Sequence, residues 1–174
     1  MSWLKSNRWA LLALVVLAPA ALVVALSAGW FDYVEQQNGR PIRAVAGQTV
    51  EYGGSQFSLL ESYRVDADTD RGQAAGLRPG TTLVSATIGV TPGAEPPSCS
   101  VELTDASGER RWAEATFADA DVTNADGTES YCSTDAEGPY RLQVFFVVPD
   151  DAAEAPELRF SRLDLLPDLV LFEL

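Results

Sequence analysis

The chain divides near its thirtieth residue into two hydrophobic patterns. Ala10 to Gly29 (ALLALVVLAPAALVVALSAG) is apolar throughout, with no charge and one hydroxyl, Ser27. Twenty helical residues rise about 30 Å, the thickness of a bilayer's hydrocarbon core. Pro19 falls mid-stretch, and a membrane helix accommodates proline as a local kink. Beyond this stretch the apolar positions come in short runs broken by Gly, Pro and Asp clusters, which is the signature of strands. The pattern predicts a single transmembrane α-helix over 9–30, followed by an all-β domain.

Within the second pattern the runs can be placed one by one. Residues 31–46 show no sustained period and are expected to form a stalk, with the domain proper occupying 47–174. Gln48–Tyr52 and Gln56–Val65 read as strands joined at Gly53-Gly54, a pair suited to a tight hairpin because both glycines accept φ > 0. Asp66 to Pro79 reads as an acidic, Gly-containing loop. Thr81–Thr91 places Val84, Ala86, Ile88 and Val90 on one face. Ser98–Thr104 and Arg110–Ala115 flank a turn at 106–109. Phe117 to Gly138 is polar, acidic and long for a loop inside a compact domain. Tyr140–Val148 is apolar on both faces, which suits a central strand. Leu158–Leu163 and Asp168–Phe172 follow, separated by Pro167. Seven or eight strands with frequent turn signals, and no segment of helical period, predict an immunoglobulin-like β-sandwich.

Charge orients the apolar stretch. Trp3 and Trp9 lie on one side of it and Trp30, Phe31 and Tyr33 on the other, as aromatic belts would. Lys5 and Arg8 precede it, whereas Asp32 and Glu35 follow. The basic flank is held in the cytoplasm, so 1–8 are expected inside and the domain outside the cell membrane. A cleaved signal peptide is the alternative, with Ala25-Leu26-Ser27 offering a cleavage site after Ser27. The stretch exceeds the usual apolar region of about 7–15 residues, which favours a retained signal-anchor.

All 25 acidic residues lie beyond the stretch, against ten of the twelve basic ones, so the domain carries a net charge of −15. That balance opposes nucleic acid as a partner, since a polyanion is bound by releasing counterions to positive charge. It leaves cationic partners and divalent ions open, beside the plainer role of an acidic surface that keeps the domain soluble. The two cysteines, Cys99 and Cys132, both lie on the expected outer side, where an even count reads as a disulfide. A metal pair or two free thiols are the alternatives, though a zinc site would have neither histidine nor a third thiol to draw on. Closing a loop of this length restricts the unfolded chain by about 3–4 kcal/mol in the entropy model.

The runs GQTVEYGGSQFSLLESYRV, LRPGTTLVSATIGV, VELTDASGERRWAEA and GPYRLQVFFVVPDDAAEAPELRF together resemble the telokin-like immunoglobulin-fold ectodomains of Gram-positive bacteria. The likeness covers roughly 47–163. It rests on a Gly-led first hairpin, a Pro-Gly-initiated strand, an Asp-x-x-Gly turn and the late alternating strand that ends at Pro149. The resemblance implies a domain of the cell envelope, often carried on a lipid or membrane anchor, with no general activity attached. Pro92-Gly93 stands where that family often has a polar Asn, and the acidic loop at 118–137 is longer.

Few residue types that do chemistry are present. Histidine, the commonest general base, is absent, and the one lysine, Lys5, is on the expected cytoplasmic side. Oxidised cysteines supply no thiolate, and no Gly-rich loop follows a strand and opens a helix. The reading is therefore a protein that is not an enzyme and uses no cofactor. Two acidic groups are candidates for weak calcium binding. In Asp66, Asp68 and Asp70 the sixth and twelfth places of an EF-hand loop fall on Arg71 and Leu77. In the Asn124–Gly127 stretch the first and twelfth fall on Val122 and Ser133, so neither is an EF-hand. A looser surface site from Asp119, Asp121, Asp126 and Glu129 is the remaining form, against solvated acidic loops.

Trp112 beside Arg110 and Arg111 is either a partner-binding anchor or a core tryptophan near the disulfide. The apolar C-terminal run 165–172 is either a last sheet strand or a segment that docks on a partner. The expected role is a membrane-anchored binding or scaffolding domain, in contact with lipid through 9–30 and with an envelope or membrane protein. An accessory subunit that docks through its helix, where Ala18, Ala20, Ala21 and Ala25 permit close approach, is the competing role.

Overall fold

The computed structural model describes residues 40–94, 99–116 and 118–174, together with Asn7, Val15 and 17–24. The chain forms two units, 1–39 and 40–174. In the first, residues 17–24 are helical, with Leu17, Leu22, Val23 and Val24 exposed. Among the described residues no helix is long and apolar enough to cross a membrane. Most of the expected span 9–30, its aromatic and charged flanks and the site after Ser27 lie outside the described residues.

The second unit is a β-sandwich. One sheet has the order β1-β9-β8-β5-β6 and the other β2-β3-β4-β7. These strands are β1 (Arg40–Ala44), β2 (Thr49–Tyr52), β3 (Ser55–Asp66), β4 (Thr81–Thr91), β5 (Ser100–Thr104), β6 (Arg111–Trp112), β7 (Tyr140–Pro149), β8 (Glu157–Ser161) and β9 (Asp168–Glu173). Strict alternation in β4 sends Val84, Ala86, Ile88 and Val90 inward, where they meet Leu142, Val144, Phe146 and Val148 of β7. Leu103, Leu158, Phe160, Val170 and Phe172 close the core from the other sheet. The apolar C-terminal run is thus a sheet strand, β9. At the first hairpin Gly53 and Gly54 have φ of +60° and +76°, as the two-residue turn requires.

A second apolar cluster lies on the outer face of the β2-β3-β4-β7 sheet: Val65, Ala75, Leu77, Leu83, Ala120 and Phe145. Its existence depends on a β-bulge between Leu59 and Glu61. Side chains alternate along a strand, so the bulge changes the phase of everything after it. Phe57 and Leu59 point into the sandwich, whereas Tyr63 and Val65, beyond the bulge, join the outer cluster.

Three expectations need correction. Residues 40–44, placed in the stalk, form β1 and pair in parallel with β9, Arg40 opposite Asp168 through Ala44 opposite Phe172. Only Ala44 of β1 is buried, so the strand is held mainly by its backbone and leaves no alternation to read. The loop 66–79 contains a short helix, α1 (Asp70–Ala74), whose first turn is capped by the Thr69 hydroxyl accepting from the Gly72 N–H at 3.0 Å. Gly72 is required there: a Cβ would lie 2.1 Å from the Asp66 carbonyl oxygen. Lastly, β7 is an edge strand of its sheet. Its two apolar faces arise because the core covers one and the second cluster the other.

Candidate functional site

The two cysteines form a disulfide, with Cα atoms 5.8 Å apart and a separation of 33 residues. Cys99 precedes β5 in one sheet, and Cys132 lies in the long acidic loop that leads into β7 of the other. Both half-cystines pack against the main core.

Arg110 and Trp112 are brought together, with the guanidinium 5.5 Å from the ring centroid. Trp112 lies opposite Leu103 and is half-buried against the main core, which favours the core reading over an exposed anchor. Arg110 is also committed. It donates through Nε to Asp105 Oδ2 at 2.8 Å and through Nη1 to Asp151 Oδ2 at 2.8 Å. The Arg110 side chain and then the Ser107 hydroxyl bond Asp105, and hold its carboxyl below the usual carboxylate range. Arg110 in turn is pushed up, first by Asp105 and then by Asp151. The trio clips the β5–β6 turn to the segment after β7. Arg111 is exposed and, as the neighbour of Trp112 on a strand, points to the opposite face.

The acidic candidates are dispersed. Asp66 does not meet Asp68 and Asp70 around a common point. Its Oδ1 lies 3.1 Å from the buried Thr82 hydroxyl, and Asp150 Oδ1 lies 2.8 Å from the same oxygen. One hydroxyl has one proton, so it donates to one carboxylate at a time. Asp70 begins α1. Asp119 accepts from the Thr116 N–H at 2.9 Å and from its hydroxyl at 2.8 Å, bonds that lower its pKa. Asp121 donates its backbone N–H to Ala75 O, and Glu129 pairs by backbone with β7. Asp126 lies in an exposed turn. Among the described residues no group of three or more acidic or cysteine side chains is placed to hold a metal.

The Asp66–Thr82–Asp150 arrangement lines a cavity of about 800 Å³, which Arg64, Asp68 and Glu154 also border. A second hollow of about 450 Å³ lies by Ser58, Leu60, Gly89, Tyr140 and Arg141. The charged groups around the first are four carboxylates and one arginine, a balance that favours a cationic group over an anionic one. Neither Asp150 nor Thr82 was singled out by sequence. They lie 84 and 16 positions from Asp66, and no local pattern links them.

Solved structures offer two likenesses. An uncharacterised β-sandwich protein from Clostridium difficile 630 is 7% identical, with a TM-score of 0.44, over 80% of this chain and 97% of that chain. A functionally unknown protein from Listeria monocytogenes EGD-e is 9% identical, with a TM-score of 0.40, over 70% of this chain and 73% of that one. No family model matches, and no curated protein does.

Proposed function

We propose that the chain is a membrane-anchored protein of the bacterial cell envelope whose domain binds or scaffolds a partner outside the membrane, without catalysis. The observation that carries this reading is the disulfide in a β-sandwich that follows a long apolar stretch. Such bonds persist in oxidising compartments, and the Lys/Arg bias around the stretch delivers the domain to one. Exposed apolar residues on the 17–24 helix agree with an anchor.

We read the sandwich as one of the immunoglobulin kind, and the strand order supports this reading. In its strand order β3-β4-β7 takes the place of strands A-B-E, and β6-β5-β8-β9 that of C′-C-F-G. The disulfide departs from the usual inter-sheet bridge of antibody domains because Cys132 lies in a loop.

A domain swap in the full chain tests whether the outer domain carries the interaction. Residues 9–30 are replaced by an unrelated membrane span, and partners are captured by cross-linking in the membrane. Retention of the same cross-linked partner supports the binding module. Its loss supports an accessory subunit that docks through the helix.

A further inference from the structure

The free edge of β7 is occupied by the chain's own acidic loop. The Gln143 N–H donates to Glu129 O at 2.8 Å, and the Glu129 N–H donates to Arg141 O at 2.7 Å, so Glu129 makes a parallel bridge with β7. The buried Gln143 side chain accepts from the Ala125 N–H at 2.7 Å, while the Thr128 hydroxyl, 3.3 Å from the same oxygen, lies 2.7 Å from the Ala125 carbonyl and donates to one of the two at a time. Asn124 Nδ2 donates to Gln143 O at 3.0 Å.

The two halves of this loop are anchored by different means. Ala115, Ala120 and Val122 pack in the outer cluster, and the Ala115 N–H bonds Phe145 O at 2.7 Å. From Asn124 to Tyr131 no residue is buried, and Asp126 and Glu129 have no basic residue between them. That half is held by hydrogen bonds to Arg141 and Gln143, and by Cys132, bonded to Cys99 in front of the other sheet.

We propose that 124–132 is a disulfide-held strap over the edge of β7, and that reduction of Cys99–Cys132 releases it while the sandwich stays folded. A dithiol is the reductant. One of its thiolates attacks a cystine sulfur and breaks the S–S bond, and its second closes the reductant's own disulfide. Two electrons pass to the protein, and Cys99 and Cys132 end as thiols. Both cysteines are half-buried and not sealed. Once uncovered, the edge leaves the Gln143 N–H and the Arg141 carbonyl open to solvent. The strap is held in the same way wherever the domain resides.

Residue-resolved hydrogen exchange on the full chain, with and without dithiothreitol, tests it. The Gln143 and Glu129 amides donate the two hydrogen bonds between β7 and the strap, whereas ladder alternation aims those of Leu142 and Val144 at β4. Reduction is expected to speed exchange at Gln143 and Glu129 by at least about tenfold and to leave Leu142 and Val144 protected. A chain carrying Cys99→Ser and Cys132→Ser is expected to show the same pattern without reductant. Unchanged protection at Gln143 after complete reduction would overturn the proposal. So would a joint loss of protection at all four amides, which would make the disulfide a global staple.

Discussion

The outer faces of the two sheets are closed by different means. The β2-β3-β4-β7 sheet is covered by its own chain: α1 and the acidic loop bring Ala75, Leu77 and Ala120 onto Val65, Leu83 and Phe145. The β1-β9-β8-β5-β6 sheet carries a row of charges instead. Glu102, Arg159, Leu171 and Arg43 lie side by side across four strands. Arg159 pairs with Glu102 at 3.8 Å, and Arg43 pairs with Glu157. Leu171, flanked by two arginines whose alkyl stems can shield it, is only 9% exposed. The first solution excludes water with apolar packing. The second sets Leu171 between two arginines, the exposed Arg43 and the buried Arg159, which is paired with Glu102.

Energetically the two solutions should not be equal. Phe145→Ala removes a large ring from a covered cluster and is expected to cost about 3–5 kcal/mol. Leu171→Ala, at a face that can relax toward solvent, is expected to cost about 2 kcal/mol, the low end for such changes. Denaturant titration of both variants measures the gap. Equal losses would break the distinction between the faces.

Acid should act mainly through the charged sheet. Asp105, at its β5–β6 turn, is held below the usual carboxylate range by Arg110 and Ser107. A carboxyl whose folded pKa is depressed contributes stability that is complete above its unfolded value of about 4. The contribution fades as pH falls through the lowered folded value. Asp105→Asn is therefore expected to lower stability at neutral pH and to flatten the loss below about pH 4, read from melts across that range.

Two smaller effects sharpen the contrast. Ser85 Oγ, fully buried in the covered sheet, has no hydrogen-bond partner among the described residues. Ser85→Ala removes an unsatisfied group and is expected to raise stability by about 1 kcal/mol in thermal unfolding. Glu102→Gln, which weakens a 3.8 Å ion pair on the other face between a partly exposed carboxylate and the buried Arg159, is expected to cost about 1 kcal/mol, since the substituted amide still offers an oxygen to the buried guanidinium. A loss from the first, or a loss of several kcal/mol from the second, would contradict the assigned roles.

What could be read in the sequence was local. The boundaries of β4 and the Gly53-Gly54 hairpin follow from alternation and turn chemistry within a dozen residues. The cysteine pairing followed from there being two. What escaped depends on distant partners or on a single residue. β1 is a strand because β9, some 128 positions later, lies beside it. The bulge at Leu60 has no composition of its own, yet it sends Tyr63 and Val65 to the outer face. Five residues are too few to show a helical period, although Thr69 followed by Asp70 is a capping signal for α1. At the candidate sites, Arg110 near Trp112 was a neighbour relation and visible. The meeting of Asp66 with Asp150 was set by topology.

The proposed role requires the domain to fold outside the cytoplasm with its cystine intact. Intact cells expressing the full chain are treated with a membrane-impermeant maleimide, before and after a membrane-impermeant reductant. No labelling at Cys99 and Cys132 before reduction, and labelling of both after it, is the predicted result. Thiols that react without reductant, and only once the membrane is permeabilised, would place the domain on the cytoplasmic side and contradict the account.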